Sequence, residues 1–150
     1  MRETVDVEIV RQFMALVPFN RYLGITVKEV RRGFAELLVP YREELVGDPM
    51  RPALHGGVLS ALIDTAGGAA VWTGIESGDR IATVDLRVDY LRPAPLEDLI
   101  CQATVVRLGN RVGVADMKIV TVADPVTVLA TGKGVYNVRR RRRSASEAEP

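Results

Sequence analysis

Apolar residues recur with two different periods along this chain, and the changes of period divide it into elements. Over residues 5–17, Val7, Ile9, Val10, Phe13, Met14, Leu16 and Val17 recur at helical spacing until Pro18 closes the run, which predicts an amphipathic N-terminal helix. Residues 24–30 and 34–40 alternate apolar and polar about an Arg31-Arg32-Gly33 turn, the pattern of a β-hairpin. Residues 41–54 are polar and carry Gly47, Pro49 and Pro52, so they predict a loop on a restricted path. Residues 57–72 then run apolar almost all the way round, which predicts one long buried helix ending near Thr73-Gly74. The rest reads as strands over 81–91, 99–108, 112–122 and 126–138. In the first of these, Val84, Leu86, Val88 and Tyr90 share one face and Thr83, Asp85, Arg87 and Asp89 the other. Gly132 and Gly134 are expected to ease a bend or bulge in the last strand.

The expected architecture is therefore α+β: an antiparallel sheet of five to six strands wrapped around one long buried helix. Residues 1–138 form one domain, followed by a basic and then polar tail at 139–150 with the composition of a disordered segment. Composition agrees with a globular domain: 150 residues, 47% hydrophobic and 26% charged. The net charge of +1 hides an asymmetry. Five arginines at 139–143 carry it, and the 138 residues before them hold 15 basic and 17 acidic side chains. An acidic body is opposite to a nucleic-acid footprint, so no nucleic-acid partner is expected. No apolar run reaches a membrane span, and the opening residues carry no signal-peptide hydrophobic region. A single cysteine, Cys101, gives no disulfide framework. The expected location is the cytoplasm.

Candidate chemistry gathers on the central helix. The only histidine, His55, precedes Gly56 and Gly57 at its start, and Asp64 is the one acid within it. A helix N-terminus offers unpaired N–H groups and partial positive charge, and glycines let a substrate oxygen approach them closely. That makes an oxyanion hole for a carbonyl whose oxygen gains charge on attack. A lone carboxylate in an apolar helix is costly unless paired, which marks Asp64 as a functional candidate. Asp64 shares the face of Gly57 but lies about 10 Å further along the axis, so one carbonyl cannot meet both groups of one helix. Two helices running antiparallel about a twofold axis would bring Asp64 of one copy to the Gly56-Gly57 end of the other. Gly67 and Gly68 are expected to permit that close packing. The spacing thus predicts a homodimer with paired sites, Asp64 as nucleophile or general base, and Thr83 as a hydroxyl that positions water. One histidine and no thiolate pair make a poor zinc site, and no metal or cofactor is expected.

His55-Gly56-Gly57 with Asp64 nine residues after the histidine resembles the PaaI-like branch of the hotdog-fold acyl-CoA thioesterases. The approach Leu45-Val46-Gly47-Asp48-Pro49, the strand end Val88-Asp89-Tyr90-Leu91-Arg92-Pro93 and the segment Ala130-Thr131-Gly132-Lys133-Gly134-Val135-Tyr136 resemble it too. The resemblance spans residues 23–138. It implies a hotdog dimer, often paired into a tetramer, acting on acyl-CoA. By motif position it implies that Gly56 polarises the thioester carbonyl, that His55 helps to hold it, and that Asp64 of the other subunit and Thr83 act on water or the carbonyl. One position departs: Asp48 stands where the family commonly has asparagine. CoA enters only as part of the substrate, and its phosphates need cations, for which Arg87, Arg92, Arg107, Arg111 and Lys133 are candidates; Gly57 is a further substrate-binding candidate. Two alternatives stay open: a non-catalytic acyl-CoA-binding module and an acyl-thioester hydratase or dehydratase on the same fold. Trp72, Phe19, Tyr41 and Met50 are candidates for an acyl pocket.

Overall fold

The fold is described for residues 5–142 of a computed structural model. Helix α1 (Val7–Leu16) starts at Asp6, whose carboxylate accepts the Glu8 N–H at 2.9 Å. Pro18 does end this helix, but it also opens a second one that the periodicity did not predict, α2 (Pro18–Leu23). Its fixed φ suits the first helical position, and Gly24 closes α2 in the left-handed region at φ 75°. The hairpin follows as β1 (Thr26–Arg31) and β2 (Phe34–Val39). The expected loop over 41–54 is more ordered than its composition suggests: a 3-10 turn (Glu43–Leu45), then β3 (Val46–Asp48) paired with β4 (Ala53–Leu54). The long helix is α3 (Gly56–Trp72), followed by β5 (Arg80–Tyr90), β6 (Leu99–Leu108), β7 (Val112–Thr121) and β8 (Ala130–Arg139).

Six strands form one antiparallel sheet in the order β1-β2-β6-β7-β8-β5, with α3 across one face. Leu59, Leu62, Ile63, Ala66 and Val71 of α3 meet Leu37, Leu99, Ala103, Ile119 and Tyr136 of the sheet in one core, all at most 2% exposed. Burial of each large aliphatic side chain there is worth about 1.5–3 kcal/mol. The expected hotdog arrangement, a sheet around a central helix, is the observed one.

Three sequence-based expectations change here. Gly132 and Gly134 make no bulge, since β8 keeps register with both neighbours at those positions. They clear space instead: a Cβ on Gly132 would lie 2.5 Å from Ile63 Cγ2, and one on Gly134 would lie 2.6 Å from the Tyr136 ring. Gly67 likewise serves packing within the chain, because a Cβ there would fall 2.2 Å from Tyr136 Oη. Gly68 has only ordinary contacts with Ile81 and Tyr136, at 3.6 Å. Third, the basic tail does not begin at 139. Arg139 ends β8, and the Arg140 guanidinium donates to Asp79 Oδ2 at 2.6 Å and to the Asn110 carbonyl at 2.8 Å. The remainder of the tail, 143–150, lies outside the described residues. Among those described, no helix is long and apolar enough to cross a membrane.

Candidate active site

The start of α3 is held from both sides. Leu45 O accepts the His55 N–H at 2.8 Å, and Gly47 lies so close that a Cβ on it would stand 2.5 Å from His55 Cα. This is why the 41–54 segment needs glycine and an ordered path: it fixes the helix entry. His55 is the N-cap, its Nδ1 accepting the Gly57 N–H at 2.8 Å. The neutral ring therefore carries its proton on Nε2, and the Gly57 N–H is spent. The Gly56 N–H has no partner among the described residues, and Gly56 is half-buried beside it. Of the two glycines, the free donor is Gly56.

Tyr90, which the alternation of β5 places only on a face, reaches the start of α3. Its hydroxyl donates to Gly56 O at 3.2 Å and makes a short hydrogen bond with Ser60 Oγ. A Cβ on Gly56 would meet the Tyr90 ring at 3.2 Å. Tyr90, Leu59, Leu54 and Arg92 line a cavity of about 230 Å³ at this helix end. Its alternation with Leu86 and Val88 gave its face but not its hydroxyl's target, which depends on where β5 is placed against α3.

Asp64 lies two turns along α3, about 12 Å from Gly56. Within one chain it is half-buried rather than enclosed, on an open stripe with Ser60, Ala61 and Thr65. Thr83 Oγ1 donates to Asp64 Oδ1 at 2.7 Å. That contact corrects the expected faces of β5. A β-bulge falls between Thr83 and Asp85, leaving Val84 unpaired and 66% exposed. The extra residue reverses the alternation. Thr83 therefore shares the α3-facing side with Leu86, Val88 and Tyr90. Asp64, Thr83, Asn20, Phe13 and Met14 line a cavity of about 380 Å³. From below, the Tyr136 hydroxyl donates to Asp64 O at 3.0 Å. Burial, with the Asp64 carboxylate and Cys101 adding to it, pushes the Tyr136 phenol above its ordinary range, so it stays a donor.

The other candidates scatter. Asp48 Oδ1 accepts the backbone N–H groups of Met50 and Arg51, at 2.9 and 3.1 Å, and so caps its own turn. Arg87 pairs with Asp89 and Lys133 with Asp116, on the sheet face away from α3. Arg107 and Arg111 sit near the β6–β7 turn, away from Gly56 and Asp64. Only Arg92 reaches the Gly56 end, and it donates to Val128 O at 2.7 Å. Cys101 is fully buried, which pushes its thiol far above the ordinary range and leaves it a core residue.

A half-exposed carboxylate held by a hydroxyl and a helix N-terminus with one free N–H are groups that acyl-transfer chemistry can use. Comparison with known proteins agrees: residues 52–128 match the Thioesterase superfamily model. The chain belongs to the thioesterase superfamily. As a thioesterase of this superfamily it is a thioester hydrolase with a hotdog fold. It is 43% identical over 126 residues to a Halobacterium salinarum protein named as a candidate esterase, covering 79% of this chain and 83% of that one. It is 35% identical over 120 residues to the Escherichia coli medium/long-chain acyl-CoA thioesterase YigI, covering 71% of this chain and 77% of that one. A solved thioesterase family protein from Silicibacter pomeroyi superposes with a TM-score of 0.80 at 28% identity, covering 87% of this thioesterase and 95% of that chain.

Proposed function

We propose that this thioesterase hydrolyses acyl-CoA to the free acid and CoA, at two sites formed between two copies of the chain. The observation that carries the reading is the separation within one copy. Gly56, with its free N–H, and Asp64, held by Thr83 of β5, lie about 12 Å apart on α3, too far to act on one carbonyl. A second copy, antiparallel across the open Ser60-Asp64 stripe, brings Asp64 of one to Gly56 of the other.

In this arrangement the thioester carbonyl oxygen accepts from the Gly56 N–H, with the His55 Nε2–H beside it. Charge developing on that oxygen is stabilised by donors fixed before reaction. Asp64 either attacks the carbonyl carbon or takes a proton from a water that attacks directly. In the first case the CoA thiolate leaves, and water then hydrolyses the acyl-Asp64 anhydride to the free acid. In the second the C–S bond breaks and the proton passes on to the departing thiolate or to solvent. Thr83 holds the carboxylate in line, and its oxygen lone pairs can accept from that water. Water is the second substrate, and no cofactor enters. The name of the E. coli relative supports acyl-CoA and an aliphatic chain as the substrate class. Pairing of dimers into tetramers and a cytoplasmic location belong to the same proposal, on the family resemblance and composition.

The test is thiol release from a panel of acyl-CoAs with wild type and Asp64→Ala. Activity on a panel member that falls by a factor of about a hundred or more in the variant supports the reading. Activity that survives the substitution makes Asp64 structural and overturns the mechanism.

A further inference from the structure

The cavity at Asp64 does not end there. Phe13, Met14 and Ile81 line it, and the same three residues line a second cavity of about 650 Å³ that continues beneath α1 toward Trp72 and Val5. Charged and polar groups stand at the two extremes, Asp64 with Thr83 at one and Asp79 with Arg80 at the other. Between them the wall is mostly aliphatic and aromatic, with Asn20, whose amide donates to Met14 O at 3.0 Å, and Thr65 as polar members on the Asp64 side. Phe13 is the neck: its ring stands edge-on to Trp72, centroids 4.6 Å apart and planes at 79°, and it is half exposed. We propose that this passage beneath α1 receives the substrate's straight acyl chain, with Phe13, Ile81 and Trp72 setting the length accepted. The inference rests on the acyl-CoA reading and adds the location and length limit of the acyl group.

The occupant follows from position and chemistry. A thioester carbonyl at Asp64 directs its acyl carbons away from the CoA sulfur. The apolar-walled cavity at the Gly56 end holds only about 230 Å³, whereas the passage that opens beside Asp64 runs through cavities of about 380 and 650 Å³. An apolar groove of this kind binds by removing hydrocarbon from water. Asp64 and Trp72 are eight residues apart on α3, about 12 Å. With C–C bonds of about 1.5 Å, an extended chain gains about 1.3 Å per carbon, so the passage holds about eight to ten carbons before Trp72. Beyond that point the second cavity widens past Ile9 and Val5, and the chain meets the polar Asp79–Arg80 end.

Two measurements test this. The first needs no turnover: Trp72 is the only tryptophan, so its emission reports on the passage directly. Titration of the wild-type protein with free decanoate is expected to give a saturable change in Trp72 emission, and butyrate over the same range none. The second compares decanoyl-CoA with butyryl-CoA hydrolysis in Ile81→Phe, which narrows the neck. The ratio of its kcat/KM for decanoyl-CoA to that for butyryl-CoA is expected to drop at least about tenfold relative to wild type. A decanoate titration without saturable change overturns the inference, as does an unchanged decanoyl-to-butyryl ratio in an Ile81→Phe protein that still hydrolyses butyryl-CoA. If the wild type hydrolyses no acyl-CoA, the function reading falls, and the decanoate titration alone decides the passage.

Discussion

Gly67 and Gly68 are neighbours on one helix, yet alanine at the two positions should change stability in opposite directions. A Cβ on Gly67 would fall 2.2 Å from Tyr136 Oη and 2.9 Å from Met117 Sδ. Tyr136 is 1% exposed and its hydroxyl is bonded to Asp64 O, so it cannot move aside without leaving a buried donor unpaired. Overpacking costs about 1–3 kcal/mol and the unpaired hydroxyl about 1–3 kcal/mol, against a helix-propensity gain of up to about 1 kcal/mol. Gly67→Ala should therefore lose about 2–4 kcal/mol. A Cβ on Gly68 meets Ile81 Cδ1 and Tyr136 Cε1 at 3.6 Å, ordinary contact distance. Gly68→Ala should keep the propensity gain and become more stable by about 0.5–1 kcal/mol. Urea unfolding at one fixed protein concentration reads both. The midpoint should fall by roughly 1–2 M for Gly67→Ala and rise slightly for Gly68→Ala. A Gly67→Ala protein as stable as wild type would refute the packing of α3 against Tyr136 described here.

Three further predictions concern single side chains. Thr83→Val removes a charge-assisted hydrogen bond of about 1.5–3 kcal/mol and should lower kcat/KM by roughly ten- to a hundredfold, with Thr83→Ser restoring most of it; a valine variant within twofold of wild type contradicts this. For Asp79, burial pushes the carboxyl up, but the Arg141 N–H, the Arg140 guanidinium and the Glu76 backbone outweigh it and hold it below the ordinary value. A carboxyl lowered in the folded state stabilises above the unfolded value of about 3.9 and loses that contribution as pH falls through the folded one. The Tm deficit of Asp79→Asn should accordingly be large at neutral pH and shrink on acidification. Asp48→Asn keeps an oxygen to cap the Met50 and Arg51 N–H groups and loses only an exposed ion pair, so thermal unfolding should show a stability change within about 0.5 kcal/mol.

The elements with long, clean patterns were legible in the sequence: α3, the β1–β2 hairpin and the strands β5 to β8 all carry enough apolar positions to declare their period. His55, Gly56 and Asp64 stood out because the types are scarce and the helix around them is apolar. What stayed hidden depends on tertiary placement. Pro18 ends one helix and begins another, and only the position of the following chain decides between these roles. The bulge at Val84 reverses the face of Thr83, and a pattern counted by twos cannot contain it. Asp64 looked buried because its helix is apolar on every side. The open stripe from Ser60 to Thr65 appears only once the sheet covers the other faces. Arg140 looked like part of a solvated run, and its partner Asp79 lies 61 positions away.

The most direct test of the shared site is complementation between two inactive variants. Gly56→Pro removes the proposed carbonyl donor at a position where proline suits a helix, and His55 before it already has the extended backbone, ψ 132°, that proline requires. A Cβ there meets the Tyr90 ring at 3.2 Å, which a shift of a few tenths of an ångström relieves. Asp64→Asn removes the acid. Each homogeneous protein should hydrolyse acyl-CoA at a small fraction of the wild-type rate. Unfolded together and refolded as a mixture, half of the dimers should combine the two variants, and each of those keeps one intact site. Recovery of roughly a quarter of wild-type activity is the predicted result. A mixture no more active than its components would place Asp64 and Gly56 in separate sites and contradict the account.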